Sequence, residues 1–560
     1  MGTDGKNDGG FRQDGVRDDD GDGARPDGAG SPPLPGNDVR DNHGDSARPD
    51  SAASPPLPGN DVRDNHGDSA RPDSAASPPL PGNGVRNDDG DARPGGTGDR
   101  HDDGPGTARE VAARRDAAVR AAVEQGLLDP GRPLVALLDV TGIRRSAAAL
   151  RAAFAAVTPP GTPVLHAFAV KATPLVPVLR LLYEEGIGAE VASPGELALA
   201  RAAGVPARHT VLDSPAKTPD ELRRALALGI AVNVDNPQEL ARLDGLIPPA
   251  GPRAPVGLRV NPQVGAGAIE ALSTATATSK FGVALRDEGA REWVVRAYLD
   301  RPWLTRLHAH TGSQGVALSL MARGVAEAYA LAEEINRRAG RRQVDTLDIG
   351  GGLPVNFASD ATGPTHAQYA RLLSEAVPGL FDGRYGLVTE FGRSLLAKHG
   401  TVVARVEYAK SAGGRPVAVT HAGVQVATRT VYAPGAWPLR IAAYDAEGRP
   451  KEGPAVVQDV AGPACFAGDL LAQGQSLPRL EEGDYAAALD TGAYYFAHHY
   501  AYNSLPRPAV HGFAPDGRGG VVFSLVRGEQ TPEEIVAEAG GGRPDALTRF
   551  PAVRRPAPRP

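Results

Sequence analysis

From residue 133 to about 390 the apolar residues fall into short runs that alternate with stretches where they recur every three or four positions. Short apolar runs bounded by turn residues predict buried strands, and the three-to-four spacing predicts amphipathic helices. Residues 133–139, Pro-Leu-Val-Ala-Leu-Leu-Asp, read as such a strand, with a helix over roughly 144–156 behind it. Residues 163–170, Pro-Val-Leu-His-Ala-Phe-Ala-Val, read as another. It runs into Lys171 and stops at Thr173 and Pro174, after which Leu175, Val178, Leu179 and Leu182 mark one face of a helix. Runs at 188–193, 209–213 and 231–235 lead into helical stretches opening at Pro194, Pro219 and Pro237, and runs at 256–260, 304–310, 346–349 and 386–390 continue the series.

About eight strands alternating with helices over some 230 residues predict an α/β fold, a closed (β/α)8 TIM barrel rather than an open sheet. Beyond about 395 the pattern changes to strands with turn signals and little helix, at 400–406, 415–420, 455–460 and 485–489. The expected domains are a barrel over 141–395 and a mainly β C-terminal domain over 396–535, sandwich-like or barrel-like. A helix and first strand over 106–140 are expected to join the β domain, and 536–560 to form a flexible tail. Residues 1–105 belong to another class. Ser-Pro-Pro-Leu-Pro-Gly occurs at 31, 54 and 77 amid Asp, Gly, Pro, Ser and Arg, with Leu and Val too sparse to bury a face, so a disordered tandem-repeat tail is expected.

Composition narrows the function classes. The chain is 41% hydrophobic and 23% charged, with a formal net charge of −7, which gives no reason to expect nucleic acid as a partner. No apolar run approaches the roughly 18 residues of a membrane span, and the N-terminus lacks the apolar core of a signal peptide. A single cysteine excludes an internal disulfide framework and fits a cytoplasmic location.

The chemistry begins at Lys171. Only seven of the 60 basic residues are lysines, and an amine nucleophile is the one role that arginine cannot fill. A lysine at the C-terminal end of a buried parallel strand, where α/β folds build their sites, is a candidate Schiff-base residue. Other strand ends offer complementary groups. His310 and Ser313 lie in Leu-His-Ala-His-Thr-Gly-Ser-Gln (307–314), and Gly350, Gly351 and Gly352 form a turn whose bare amides suit a phosphate. Glu390 and Arg393 stand three residues apart. An amine, an aromatic stacker, a phosphate nest, an anion and a cation together match the needs of pyridoxal 5′-phosphate, and the set calls for no metal.

From about 133 to 515 the chain resembles the alanine-racemase-fold (fold type III) decarboxylases, the family of diaminopimelate, ornithine and arginine decarboxylases. The matching stretches are Phe168-Ala-Val-Lys171-Ala, Ala192-Ser-Pro-Gly-Glu196-Leu, Lys280-Phe-Gly282, His308-Ala-His310-Thr-Gly-Ser313-Gln, Asp348-Ile-Gly-Gly-Gly352, Glu390-Phe-Gly-Arg393, Gly462-Pro-Ala-Cys465 and Asp490-Thr-Gly-Ala-Tyr494. The resemblance implies that Lys171 carries the cofactor and His310 stacks on its ring. It implies that Ser313, the glycine turn, Arg393 and Tyr494 hold the phosphate, and that Glu190 and Arg259 line the site. Glu390 would pair with the ring nitrogen, and an anion there keeps that nitrogen protonated and the ring a strong electron sink. This favours decarboxylation over the racemase or epimerase reading, and Cys465 and Tyr494 in a second domain argue against a non-catalytic cofactor carrier.

The resemblance also implies that Cys465 and Lys171 donate protons, and that the cysteine loop reaches the site of a partner subunit in a head-to-tail homodimer. Glu190 and Phe391 replace a common Asp and Pro of the family. Phe466 replaces the acidic residue that in diaminopimelate and ornithine decarboxylases binds the distal amine of the substrate. The expected substrate is therefore an amino acid or amino-acid derivative with an altered side chain, bounded by Phe466 and Tyr494 and reaching towards Arg429 or Arg440.

Overall fold

Eight short strands run parallel and close on themselves: β2 (Val164–Ala169), β3 (Gly188–Val191), β4 (Thr210–Asp213), β5 (Ala231–Val234), β6 (Val256–Asn261), β8 (Leu304–His308), β9 (Thr346–Asp348) and β10 (Gly386–Thr389). Their order is β5-β4-β3-β2-β10-β9-β8-β6, and β5 pairs with β6 to complete the ring; a two-residue strand β7 (Val283–Ala284) hangs on β6. The strands read as continuous apolar runs because a barrel buries both of their faces. The computed structural model describes residues 107–267 and 274–550, so the repeat-bearing tail expected over 1–105 and the end of the chain from 551 lie outside the described residues.

Helices begin tightly after the strands. Ser193, Thr218 and Asn236 each accept a hydrogen bond from the backbone N–H three residues on, and a proline follows each as the first helical residue. A polar cap satisfies an otherwise orphaned donor, and proline brings a helical φ without needing a donor of its own. These caps fix where the strands stop, and hence where their last side chains project.

The first strand, β1 (Leu134–Asp139), belongs to a second sheet. It lies between β11 (Gly400–Ala412), to which it is antiparallel, and β17 (Ala509–Pro515), to which it is parallel. That sheet runs β15-β14-β12-β11-β1-β17-β18, with β16 on β11 and β13 on β16. The members not yet placed are β12 (Arg415–Thr420), β13 (Ile441–Tyr444), β14 (Ala455–Ala461), β15 (Leu470–Pro478), β16 (Tyr485–Leu489) and β18 (Val521–Arg527). Asp139 ends β1 and caps the next helix, Val140–Ala155, so that helix starts four residues earlier than its periodicity suggests.

The β region contains more than its pattern announces. Strands β13, β15, β17 and β18 and the helix Val424–Tyr432, irregular at Ala427, are all present. The boundary expected at 535 falls inside a helix, Pro532–Glu538, which Thr531 and Glu534 cap reciprocally. None of the described helices is long and apolar enough to cross a membrane.

Candidate active site

Strand β2 ends at Ala169, and one 3-10 turn, Val170–Ala172, carries Lys171 off the C-terminal end of the barrel. The turn is fastened from the β region: Tyr494 donates its N–H to the Ala172 carbonyl at 2.6 Å, and Thr173 Oγ1 donates to the Gly492 carbonyl at 2.6 Å. Strand register sets Ala169 beside Glu190 on β3, and Lys171 Nζ donates to Glu190 Oε2 at 2.8 Å. The lysine side chain keeps 42% exposure while Glu190 is fully buried. Desolvation works against the ammonium, but the Glu190 carboxylate, with Tyr494 and Glu390 behind it, holds the Lys171 pKa above its usual range. Burial pushes the Glu190 carboxyl up, and Lys171 opposes that rise.

Below this pair lies a buried polar layer drawn from five strands and their ends. Asp213 ends β4 and accepts from Arg259 Nη1 of β6 at 2.7 Å; His308 Nε2 of β8 lies 3.6 Å from the same carboxylate. His308 Nδ1 is 3.2 Å from Asp348, and Asn233 donates to Asp348 at 2.9 Å. Burial opposes ionisation of Asp213, yet Arg259, followed by His308 and Lys217, keeps it below the usual carboxylate range. Arg259 also packs over the Phe281 ring at 4.4 Å.

Glu390 follows β10. It is 2% exposed, neither carboxylate oxygen has a hydrogen-bond partner, and its nearest imidazoles are His310 at 3.7 Å and His308 at 3.9 Å. Burial first, then the charges of Asp348, Asp213 and Glu190, raise its pKa well above that of an ordinary glutamate. His310 is pushed down to about 3 by burial and by Arg259 and Lys171, so its ring is neutral. Its Nδ1 accepts from the Gly351 N–H at 3.3 Å.

The glycine turn needs its glycines. Gly352 has φ +88°, and a methyl group there would overlap the Gly312 backbone, as one at Gly351 would overlap Glu390. Gly350 completes the turn beside His310, and Ser313 lies half-buried in the loop after β8. Arg393 and Arg429 have no carboxylate partner among the described residues. Both lie over Trp437, at 5.2 and 4.1 Å, and over Tyr494, at 4.5 and 5.0 Å. With Gln314 and Phe357 they line a cavity of about 170 Å³. Burial and the neighbouring Arg393 lower the Arg429 pKa to about 10.

The structure thus gathers Lys171, Glu190, Arg259, His310, Glu390 and the glycine turn at the strand ends, with Arg393, Arg429 and Tyr494 beside one another. Cys465 and Phe466 are elsewhere. Cys465 is exposed, its N–H donating to Asn503, and Phe466 packs in a cluster of rings with Tyr432 and Tyr502. Neither shares a hydrogen bond, ion pair or ring contact with the Lys171 cluster. Arg440, to which the side-chain pocket was expected to extend, is taken by Asp360 at 2.7 Å and Asp490 at 2.9 Å. Sequence reasoning missed His308, Asp213 and Trp437. The first two are polar residues that end barrel strands, which was a usable signal; Trp437 sits in a Pro- and Gly-rich loop and had none.

The residues present fit pyridoxal phosphate. A nucleophilic amine stands at the open end of the barrel, and a buried carboxylate with two unpaired oxygens awaits a cationic partner. The glycine turn has backbone too crowded for any Cβ, and Arg393 is a guanidinium with no carboxylate partner among the described residues. The family model described as the pyridoxal binding domain of pyridoxal-dependent decarboxylases matches residues 141–397. The diaminopimelate decarboxylase of Pseudomonas aeruginosa is 34% identical over 376 residues, 67% of this chain and 84% of that one. That of Aquifex aeolicus is 32% identical over 348 residues, 62% and 80% of the two chains. A crystal structure of a diaminopimelate decarboxylase superposes with a TM-score of 0.63 at 27% identity, covering 75% of this chain and 96% of that one. Matched at 34% identity over 84% of the length of one such relative, the chain belongs to the pyridoxal-dependent amino-acid decarboxylases.

Proposed function

We propose that this enzyme decarboxylates an α-amino acid whose side chain carries no distal ammonium, and that it does so in the cytoplasm as a homodimer with shared sites. The observation that carries the substrate reading is the surroundings of Phe466. Its ring is stacked on Tyr432 at 5.9 Å and edge-on to Tyr502 at 5.5 Å, and Tyr500 joins both tyrosines. The acid of the same loop, Asp469, is buried and spends its oxygens on the N–H groups of Val424 and Ala464. An ammonium set against these rings would gain ~0.5–2 kcal/mol from a cation–π contact, less than the several kcal/mol that an unpaired buried charge costs. Arg429, beside Arg393 and without a carboxylate, suits an acidic or hydrogen-bond-accepting end of the substrate instead.

When bound, pyridoxal phosphate supplies the electron sink that lets the substrate carboxylate leave as carbon dioxide. Lys171 serves as its attachment point: a proton passed from Nζ to Glu190 Oε2 across their 2.8 Å hydrogen bond frees the amine as a nucleophile. Glu390, whose two oxygens have no hydrogen-bond partner among the described residues, would ionise beside a cationic ring nitrogen. The neutral His310 would offer a flat face to the ring, and Arg393, Ser313, Tyr494 and the amides of Gly350, Gly351 and Gly352 would hold the phosphate. Cys465 Sγ of the partner subunit, with Lys171 Nζ as the other donor, would hold the proton that replaces the departing carboxylate.

The dimer reading is supported by the exposure of Cys465 and of Tyr432, which is 58% exposed in the single chain, and by the lack, among the described residues, of a hydrogen bond, ion pair or ring contact from Cys465 or Phe466 to the Lys171 cluster. Mixing Lys171→Ala chains with Cys465→Ala chains should restore about a quarter of wild-type activity, because half the dimers are mixed and one of their two sites is whole. The substrate reading is tested by kcat/KM for diaminopimelate and for a panel of neutral and acidic amino acids, in the wild type and in Phe466→Glu. Preference for the amino acids without a second amine, shifted towards diaminopimelate by the glutamate, is expected. Wild-type turnover of diaminopimelate above every other compound would refute it.

A further inference from the structure

The helix Val140–Ala155 packs on the helix His366–Ala376 outside neighbouring strands β2 and β10, and between them lies a cavity of about 470 Å³. Small-molecule sites measure ~300–1,000 Å³, and this one opens to solvent past the exposed Ala152, Ala156 and Arg371. The cavity arises because one face of the first helix is nearly bare: Ala149, Ala152, Ala153 and Ala156 fall three and four residues apart and present only methyl groups to it. Leu353 and Val355 close the opposite wall.

Its polar groups are ordered. Ser146 Oγ is hydrogen-bonded to His399 Nε2 at 2.9 Å, and His366 Nε2 to Ser394 Oγ at 3.0 Å. Burial pushes His399 down to about 4 and, with His166, His366 down to about 3, so both rings are neutral hydrogen-bonding groups. Among the described residues no aspartate or glutamate lines the cavity. Of its two cations, Lys398 is already held by the Ser359 carbonyl and Asp490. Arg371, exposed at the rim, has no hydrogen bond or ion pair for its guanidinium among the described residues.

We propose that this cavity is a second ligand site, separate from the Lys171 cluster, and that it takes a monocarboxylate with a compact apolar body. The methyl-lined wall receives the body, and Arg371 receives the carboxylate. A neutral ligand of the same shape leaves the guanidinium to water and forgoes the charge-assisted hydrogen bonds, and a cation meets it as a like charge.

The test is calorimetric titration of the cofactor-loaded enzyme with 3-phenylpropionate, with 3-phenylpropan-1-ol as the uncharged control. Saturable binding at one site is expected, at least tenfold weaker for the alcohol. It should also be at least tenfold weaker in Arg371→Gln, which removes the charge, and in Ala149→Phe, which fills the cavity. Both variants should turn over the amino-acid substrate at the wild-type rate, which shows that they fold. No saturable binding by the wild type, equal binding of the alcohol, or an affinity unchanged in either variant would overturn the proposal. The last result would put the acid elsewhere, the amino-acid site included.

Discussion

Asp213 lies under the site with Arg259 and His308, and replacing it by asparagine isolates the energetics of that layer. Asp213 and Arg259 are each 5% exposed and 2.7 Å apart at their nearest atoms. At an effective dielectric of about 20, unit charges about 4 Å apart attract by ~4 kcal/mol. Asparagine keeps the shape and one acceptor for Arg259 but leaves its charge uncompensated, and breaking a buried pair in this way costs about 3–5 kcal/mol. Unfolding entropy of about 2.1 cal/mol/K per residue over roughly 440 described residues gives ~0.9 kcal/mol per degree, so the melting midpoint should fall by ~3–5 °C. The assay is differential scanning calorimetry of the cofactor-free protein at one scan rate, which keeps ligand linkage out of the comparison. Arg259→Met should cost a similar amount. The double variant should lose less than the sum by at least about 2 kcal/mol, because neither charge is then left alone. A midpoint within 1 °C of wild type for Asp213→Asn, or strict additivity in the cycle, would refute the view that this pair anchors the layer.

Borohydride reduction of the cofactor-loaded enzyme, followed by peptide mapping, should place the pyridoxyl label on Lys171; a label on Lys217 or Lys280 would contradict the assignment. Gly352→Ala, which drives a methyl group into the Gly312 backbone at a φ that alanine resists, should weaken cofactor binding at least tenfold in an absorbance titration, with the circular dichroism unchanged. His366 has its pKa depressed to about 3 in the folded chain against about 6.5 unfolded, so the unfolded state takes up its proton first. Its contribution to stability is complete above about pH 6.5 and is lost as pH falls towards 3. The melting midpoint of His366→Phe relative to wild type should accordingly improve between pH 7.5 and 5, by the equivalent of ~2 kcal/mol. A constant gap would show that the histidine does not titrate this way.

The barrel was legible because a strand buried on both faces has no polar alternation to confuse it, and because Pro194, Pro219 and Pro237 mark where helices begin. The β domain was read less well. Strand β15 is Leu-Leu-Ala-Gln-Gly-Gln-Ser-Leu-Pro, an edge strand with a glycine and a terminal proline, and its pairing with β14 comes from tertiary contact rather than local preference. Lys171 and the glycine turn announced themselves by residue type at a strand end. The roles of Arg440 and Arg259 did not, since a guanidinium in sequence shows no sign of the carboxylate that will claim it. Asp360 and Asp213 lie 80 and 46 residues away from them.

The place of β1 bears on how the chain is made. Val135 pairs with Ala509, so a strand that leaves the ribosome early finds one of its two neighbours only after most of the polypeptide has been synthesised. At about 5–20 residues per second that interval is ~20–75 seconds. Throughout it the apolar run Leu134–Asp139 has an open edge and sits directly ahead of the first barrel helix. A chain that ended between residues 390 and 509 would keep every barrel strand but leave the β17 edge of β1 open.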